Sequence, residues 1–191
     1  IAAAYPEKLT VIEGDALAVD CAKLGSAPRR VVANLPYNIA TPLIIKWLQQ
    51  GAAFASLTVM VQKEVADRLI ATPRTKDYGR LTVLAQFLAK PRRLFDLPPR
   101  AFVPPPKVTS TVIELLPLPE PAFPARLADL ERVTQAAFGQ RRKMLRQSLR
   151  SLDGDTEALM AGAEITPTAR AEELTVAQFA ALARALEKMR T

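Results

Sequence analysis

The chain has 191 residues, 49% of them hydrophobic and 24% charged, the balance of a globular protein with a substantial core. It contains no histidine and one cysteine, Cys21, which excludes disulfide frameworks, Cys/His zinc sites and every triad that uses imidazole as its base. A formal net charge of +7 favours a polyanionic partner, nucleic acid or an anionic membrane surface; no apolar run approaches the ~20 residues of a membrane span and no signal-peptide pattern is present, so a cytoplasmic protein is expected.

The chain opens at Ile1 in mid-pattern, without an initiator methionine, and a longer parent is expected. Leu9-Thr10-Val11-Ile12 predicts a first strand, with Gly14 and Asp15 marking the turn at its end. A second strand is predicted over Val31 to Ala33. Thr41 then reads as an N-cap, Pro42 as the first helical residue, and Leu43 to Gln50 as a helix that Gly51 stops. Leu57 to Val61 predicts a third strand, followed by a helix from Lys63 to Ile70 whose apolar face is Val65, Ala66, Leu69 and Ile70. This alternation of strand and helix predicts a parallel sheet of the α/β class.

Tyr78 to Ala89 is predicted helical, and the alternation over Lys107 to Leu116 predicts an exposed-edge or antiparallel strand. Between them, Pro98, Pro99, Pro104, Pro105 and Pro106 surround Phe102 in a stiff, extended loop. Prolines 117, 119, 121 and 124 punctuate the next stretch, and beyond them only helices are predicted. A boundary there separates a domain over 1–118 from a small helical domain over 119–191. In the last helix Thr175 and Gln178 fit a capping box, and Leu174 and Phe179 a hydrophobic staple.

From Val133 to Leu152 there is no acidic residue, while Arg141, Arg142, Lys143, Arg146 and Arg150 fall inside the stretch. Arg142, Arg146 and Arg150 are spaced to share one face of a helix, with Phe138, Leu145, Leu149 and Leu152 forming a separate apolar stripe. Such a face is either simply solvated or meets phosphates, for which the guanidinium fork is well shaped. The second is favoured here, over a membrane-surface helix, because a small helical domain needs the apolar stripe for its own core.

Ligands of α/β sheets bind at strand ends, which is where the pattern puts Gly14-Asp15-Ala16 and Asn34-Leu35-Pro36-Tyr37. The Asp15 carboxylate can accept from an adenine amino group. The Asn34 carbonyl and the Pro36 backbone carbonyl can accept both hydrogens of an exocyclic amine, and Tyr37 offers a face on which a purine stacks. Taken alone, Asn34 to Tyr37 equally describes a strand-to-turn exit with a buried tyrosine, Asp15 a turn-former, and Phe102 a core residue. The co-occurrence of all of them with a basic segment favours a site.

Asn34-Leu-Pro-Tyr-Asn-Ile-Ala-Thr-Pro-Leu, Gln62-Lys-Glu-Val-Ala-Asp-Arg-Leu, Tyr78-Gly-Arg-Leu, Phe102-Val-Pro-Pro-Pro-Lys-Val, Phe138-Gly-Gln-Arg-Arg-Lys and Arg170-Ala-Glu-Glu-Leu-Thr closely resemble, in order, motifs of the bacterial 16S ribosomal RNA adenine N6,N6-dimethyltransferases. The resemblance implies a Rossmann-like methyltransferase sheet with a helical C-terminal domain, acting with S-adenosylmethionine and no metal. Its substrate would be two adjacent adenines of a 16S rRNA hairpin near the 3′ end, in the assembling small subunit; a monomer is expected. It further implies that Asn34, Leu35, Pro36 and Tyr37 form the catalytic loop, with Phe102 closing over the other face of the flipped base. Asp15 and Ala16, with Asn34, would contact the cofactor, and Arg141, Arg142, Lys143, Arg146 and Arg150 would face RNA.

Methyl transfer of this kind is a direct displacement by the adenine amine, which depends on alignment more than on a base, so the missing histidine is no obstacle. The glycine-rich loop and acidic residue that open such enzymes are absent from this sequence, and the chain as given is expected to bind the cofactor poorly. Three alternatives remain: a large-subunit rRNA methyltransferase of the antibiotic-resistance type, a non-catalytic RNA-binding assembly factor, and an N6-adenine DNA methyltransferase.

Overall fold

A computed structural model describes residues 4, 5, 7–152 and 154–190. Its centre is a four-stranded mixed sheet of β1 (Arg29–Asn34), β2 (Phe54–Gln62), β3 (Ala89–Leu97) and β4 (Ser110–Pro117), in the spatial order β1-β2-β4-β3. Only β1 and β2 run parallel; β4 is antiparallel to both its neighbours, with Asn34 opposite Met60 and Gln62 opposite Ser110. The all-parallel sheet expected from the early alternation therefore holds for one pair. The 107–116 strand is antiparallel as expected, begins later, and is internal rather than an exposed edge.

Three helices cover one face of the sheet. Helix α1 (Ala40–Gln49) buries Ala40, Leu43, Ile44, Trp47 and Leu48, the spacing of an amphipathic helix, against Leu57, Val59, Val61, Ile113 and Leu115 of β2 and β4. It starts before Thr41, with Ile39 at the N-cap, so Thr41 is a first-turn residue and not the cap. Gly51, at φ 49°, turns the chain just past its end, the left-handed position that favours glycine. Helix α2 (Lys63–Ile70) spans the residues expected of it, and α3 (Arg80–Leu88) lies within the predicted helix. On the opposite face of the sheet Val32 is 82% exposed.

At the margins of the sheet one predicted strand is absent and one strand has no counterpart among the predicted elements. Leu9 to Ile12 forms no strand; Leu9, Val11 and Ile12 are exposed and pair with nothing among the described residues, and a strand exists only through its partner. Conversely β3 was missed, because Pro91 and four charged residues disguise it. As an edge strand it tolerates the proline, and a bulge at Leu94 breaks its register with β4.

The C-terminal part is helical, as expected: α4 (Leu127–Gly139), α5 (Leu145–Ser148), α6 (Thr156–Gly162) and α7 (Val176–Lys188). Its core is not confined to those helices. Tyr78, Val83, Leu84 and Phe87 pack in one cluster with Leu130, Val133, Leu145, Leu149, Phe179 and Leu182, so α3 serves the sheet with one side and the helices with the other. Tyr78 is fully buried, donates its hydroxyl to the Leu174 carbonyl at 2.7 Å, and meets Phe138 edge-on at 6.1 Å. The Thr175–Gln178 capping box is present, and the stapling pair Leu174 and Phe179 is buried.

The basic stretch from Val133 to Leu152 is not one helix. Helix α4 ends at Gly139, Met144 becomes extended and bridges to Arg170, and Leu145 N–H donates to the Ala169 carbonyl at 2.8 Å before α5 begins. The i, i+4, i+8 spacing of Arg142, Arg146 and Arg150 therefore does not make one helical face, because the extended Met144 separates Arg142 from the other two.

Candidate active site

Strand β1 ends where its ladder runs out of donors. Leu35 N–H still reaches the Met60 carbonyl at 3.2 Å, and its side chain is buried, but Pro36 has no N–H to continue. The Pro36 carbonyl instead accepts from Ile39 N–H at 3.1 Å, closing the turn that leads into α1. That bond uses one of the carbonyl's two lone pairs and leaves the other. The Asn34 side chain is exposed and has no hydrogen-bond partner among the described residues.

Tyr37 is 41% exposed, and its hydroxyl is 3.1 Å from Ser110 Oγ at the start of β4. This corrects the alternative of a buried tyrosine: one end of the ring is tethered and a face remains accessible. Phe102 follows a tight turn in which Ala101 N–H donates to Pro98 and Phe102 N–H to Pro99, at 2.9 and 3.1 Å. The far end of that loop is tied to α2 by Lys63 N–H donating to the Thr109 carbonyl at 3.0 Å. The proline-stiffened loop thus hangs beside the end of β1.

Asn34, Leu35, Pro36, Tyr37 and Phe102 line one open hollow of about 320 Å³, with Met60, Pro104 and Pro106 completing its wall. Five residues singled out in the sequence, in segments more than 60 positions apart, converge there. Asn34 and Pro36 contribute amide oxygens and Tyr37 and Phe102 aromatic rings to its lining, and no carboxylate, lysine or arginine is among the described residues that line it. Such a lining suits a flat, neutral amine-bearing ring held by position, with no acid–base pair.

Asp15 and Ala16 stand apart from this hollow. Both are exposed, and Asp15 Oδ1 accepts from Leu17 N–H at 2.8 Å in its own turn, the bland role the residue has in many loops. The following loop is moored to α1 by Lys46 Nζ, which donates to the carbonyls of Leu17 and Val19 at 2.6 and 2.7 Å. Among the described residues nothing charged converges with Asp15 to cradle a cofactor's sulfonium, ribose and carboxylate. Around Asp15, the described residues alone do not make up a binding site for S-adenosylmethionine.

The basic residues divide. Arg141 is committed within the protein, its Nε 2.8 Å from Glu172 Oε2 and an Nη donating to the Thr75 carbonyl at 3.1 Å. Arg142 and Lys143 are exposed in the turn after α4, and neither has an acidic partner among the described residues. Arg146 and Arg150 line a separate polar hollow of about 460 Å³ beside Asp155, whose carboxylate caps α6.

Residues that the sequence did not single out also shape the site. Ser110 orients Tyr37, and Met60 floors the hollow; a serine opening a strand and a methionine in an apolar run carry no separate signal. Lys63, Asp96 and Thr111 form a brace behind the loop. Asp96 accepts from Lys63 at 2.8 Å and from Thr111 at 2.7 Å, and these bonds hold its carboxyl below the usual carboxylate range.

Residues 3–188 match the family model described as ribosomal RNA adenine dimethylase. The chain is 62% identical over 187 residues to the ribosomal RNA small subunit methyltransferase A of Rhodospirillum rubrum, covering 98% of this chain and 65% of that protein. It is 58% identical to the protein of the same name from Paramagnetospirillum magneticum, covering 98% and 66%. It therefore spans just under two thirds of the length of these relatives. Its fold superposes on a dimethyladenosine transferase from Plasmodium falciparum with a TM-score of 0.79 at 22% identity, over 95% of this chain and 74% of that one. On the 23S rRNA methyltransferase ErmE the TM-score is 0.64 at 25% identity, over 97% and 75%. With one hollow assembled from the predicted loop and aromatic, and with these matches running through the whole length, the chain belongs to the ribosomal RNA adenine dimethylase family.

Proposed function

We propose that this chain is the substrate-holding part of an enzyme that dimethylates the N6 amine of two adjacent adenines in a 16S rRNA hairpin near its 3′ end. The observation that carries this reading is the convergence of Asn34, Pro36, Tyr37 and Phe102 on one hollow. An adenine placed there stacks on Tyr37 under Phe102, and its amine donates to the Asn34 carbonyl and to the free lone pair of Pro36. Neutral acceptors on the amine hydrogens turn the nitrogen lone pair away from the wall and stabilise the positive charge that alkylation brings, a cationic counterpart of an oxyanion hole. Because the first product, a monomethyl amine, retains a single N–H, the second round uses one acceptor fewer than the first.

S-adenosylmethionine is the donor in this proposal, by family membership; the described residues do not build its site. Relatives with 62% and 58% identity carry small-subunit names, which favours the small-subunit substrate over a large-subunit one. The assembling small subunit as partner, a monomeric state, a cytoplasmic setting and the division at residues 118 and 119 belong to the same proposal. Supporting the RNA assignment are Arg142, Lys143, Arg146 and Arg150, all exposed and without an ion-pair partner among the described residues.

The test is Asn34→Ala in the full-length protein, assayed by methyl incorporation into undermethylated small subunits. Loss of methyl transfer on the order of 10²-fold or more is expected, as for removal of one preorganised polar group at a reacting centre, with RNA affinity largely retained. Wild-type transfer by that variant would remove the amine-holding role.

A further inference from the structure

We infer that the Thr72–Asp77 loop between α2 and α3 is a phosphate-contacting waypoint, with Arg74 and Lys76 guiding the RNA strand between the adenine hollow and the basic turn at Arg142 and Lys143. This rests on the proposed RNA substrate and adds to it a surface that none of the motifs assigned.

The loop is joined at one end to the basic turn. Arg74 N–H donates to the Glu172 carbonyl at 2.7 Å, and Arg141 spans the gap, held to the Glu172 carboxylate and donating to the Thr75 carbonyl at 3.1 Å. Arg141 is thus the clamp that brings Arg74 and Lys76 beside its own neighbours Arg142 and Lys143.

At its other end the loop reaches the site. Lys76 lines a hollow of about 360 Å³ with Gln62, Val108 and Thr109, and Lys63, Glu64, Asp67 and Asp77 complete its wall. The adenine hollow is lined by Met60 and by Phe102, Pro104 and Pro106, so consecutive parts of the same two segments, the end of β2 and the proline loop, wall both. Met60 and Gln62 are two residues apart on one strand, about 6.6 Å at strand rise. The two hollows are neighbours along one rim.

The Lys76 hollow itself carries three carboxylates against two lysines, so the cationic surplus lies on the loop and the basic turn, where Arg74, Lys76, Arg142 and Lys143 stand against Asp77. Three carboxylates nearby are already engaged: Glu64 with Arg68, Asp67 with Arg93, and Asp96 with Lys63. Asp77 is the acidic residue left beside Lys76. Arg74, Lys76, Arg142 and Lys143 have no ion-pair partner among the described residues, and all four are exposed. Arg74 sits at φ 69°, a conformation that costs an arginine energy, and the Arg74 N–H to Glu172 bond fixes it there with its side chain outward from the anchored backbone. Exposed, unpaired cations on a rigidly tied loop between a base hollow and a basic turn suit an RNA backbone, in which position comes from phosphates and identity from the base.

The experiment uses the full-length protein with Arg74→Asn and Lys76→Ala combined, asparagine being chosen because it tolerates positive φ. Affinity for the rRNA hairpin with its flanking single strand is measured by fluorescence anisotropy from about 50 to 200 mM salt. Loss of two single-strand phosphate contacts lowers the slope of log affinity against log salt by about 1.4, so the fall in affinity across that range becomes about sevenfold smaller. Arg142→Ala with Lys143→Ala should lower the slope separately and additively. An unchanged slope in the Arg74/Lys76 variant, with a wild-type melting profile and intact wild-type binding, overturns the waypoint. Failure of the wild-type protein to bind the hairpin overturns the RNA reading itself, and the waypoint with it.

Discussion

Replacing Tyr78 by Phe tests how the helices are secured to the sheet. The ring is fully buried among Val83, Phe87, Phe138 and Phe179, so phenylalanine preserves its volume, its packing and the edge contact with Phe138. What is removed is one hydroxyl, donated at 2.7 Å to the Leu174 carbonyl just before the N-cap of α7. Burial raises this phenol's pKa well above its ordinary value, so the group is a hydrogen-bond donor throughout the pH range of an unfolding experiment. A buried bond contributes about 1 kcal/mol net, and an acceptor left without its partner in the interior adds to that, for an expected loss of about 1 to 2.5 kcal/mol. For a chain of this size each kcal/mol moves the melting temperature by about 2–4 °C. Urea and thermal unfolding of wild type and Tyr78→Phe should therefore show a lower midpoint with an unchanged m-value. Equal stability within about 0.3 kcal/mol would refute the assignment of that hydroxyl as an internal tie. Tyr78→Ala, which also opens a cavity, should cost about 3–5 kcal/mol.

Three further outcomes are expected. Asp96 has a folded pKa below its ordinary 3.8, so the stability it contributes is fully present above that value and is lost as pH falls through the lower, folded one; Asp96→Asn should flatten this acid-side loss in pH-dependent unfolding, and an identical pH profile would discount the Lys63–Asp96–Thr111 brace. Ser110→Ala frees the Tyr37 hydroxyl, and in the full-length protein methyl transfer should fall on the order of tenfold while stability changes little, because Tyr37 is partly exposed and its freed hydroxyl can turn to water; unchanged transfer would show that the tether does not orient the ring. Calorimetric titration of this 191-residue chain with S-adenosylmethionine should show no binding at micromolar concentrations, and saturable micromolar binding would show that Asp15 and its loop suffice.

The candidate site was more legible than the sheet that carries it. Asn34, Pro36, Tyr37 and Phe102 announce themselves by chemistry: a proline that ends a ladder, an unpaired amide and two aromatics in polar or proline-rich contexts, all of which the structure gathers at one hollow. Sheet order leaves a fainter trace, since β3 contains Pro91 and reads as charged loop until β4 is known to lie beside it. The Leu9 to Ile12 run has the pattern of a strand and no partner.

Helices α1 and α2 followed from their apolar pattern and α7 from its capping box, because helical hydrogen bonds and one apolar stripe are contained within a short segment. Residue identity likewise determined which groups can grip an amine and which chemistry is closed to a chain without histidine. Tertiary structure alone decided which of the arginines are free. Arg141 and Arg142 are adjacent and chemically identical, yet Glu172 and Thr75, far away in the chain, bind the first and leave the second to solvent. The spacing of a segment can be read from its own residues, whereas the pairing of a charge depends on what the folded chain brings against it.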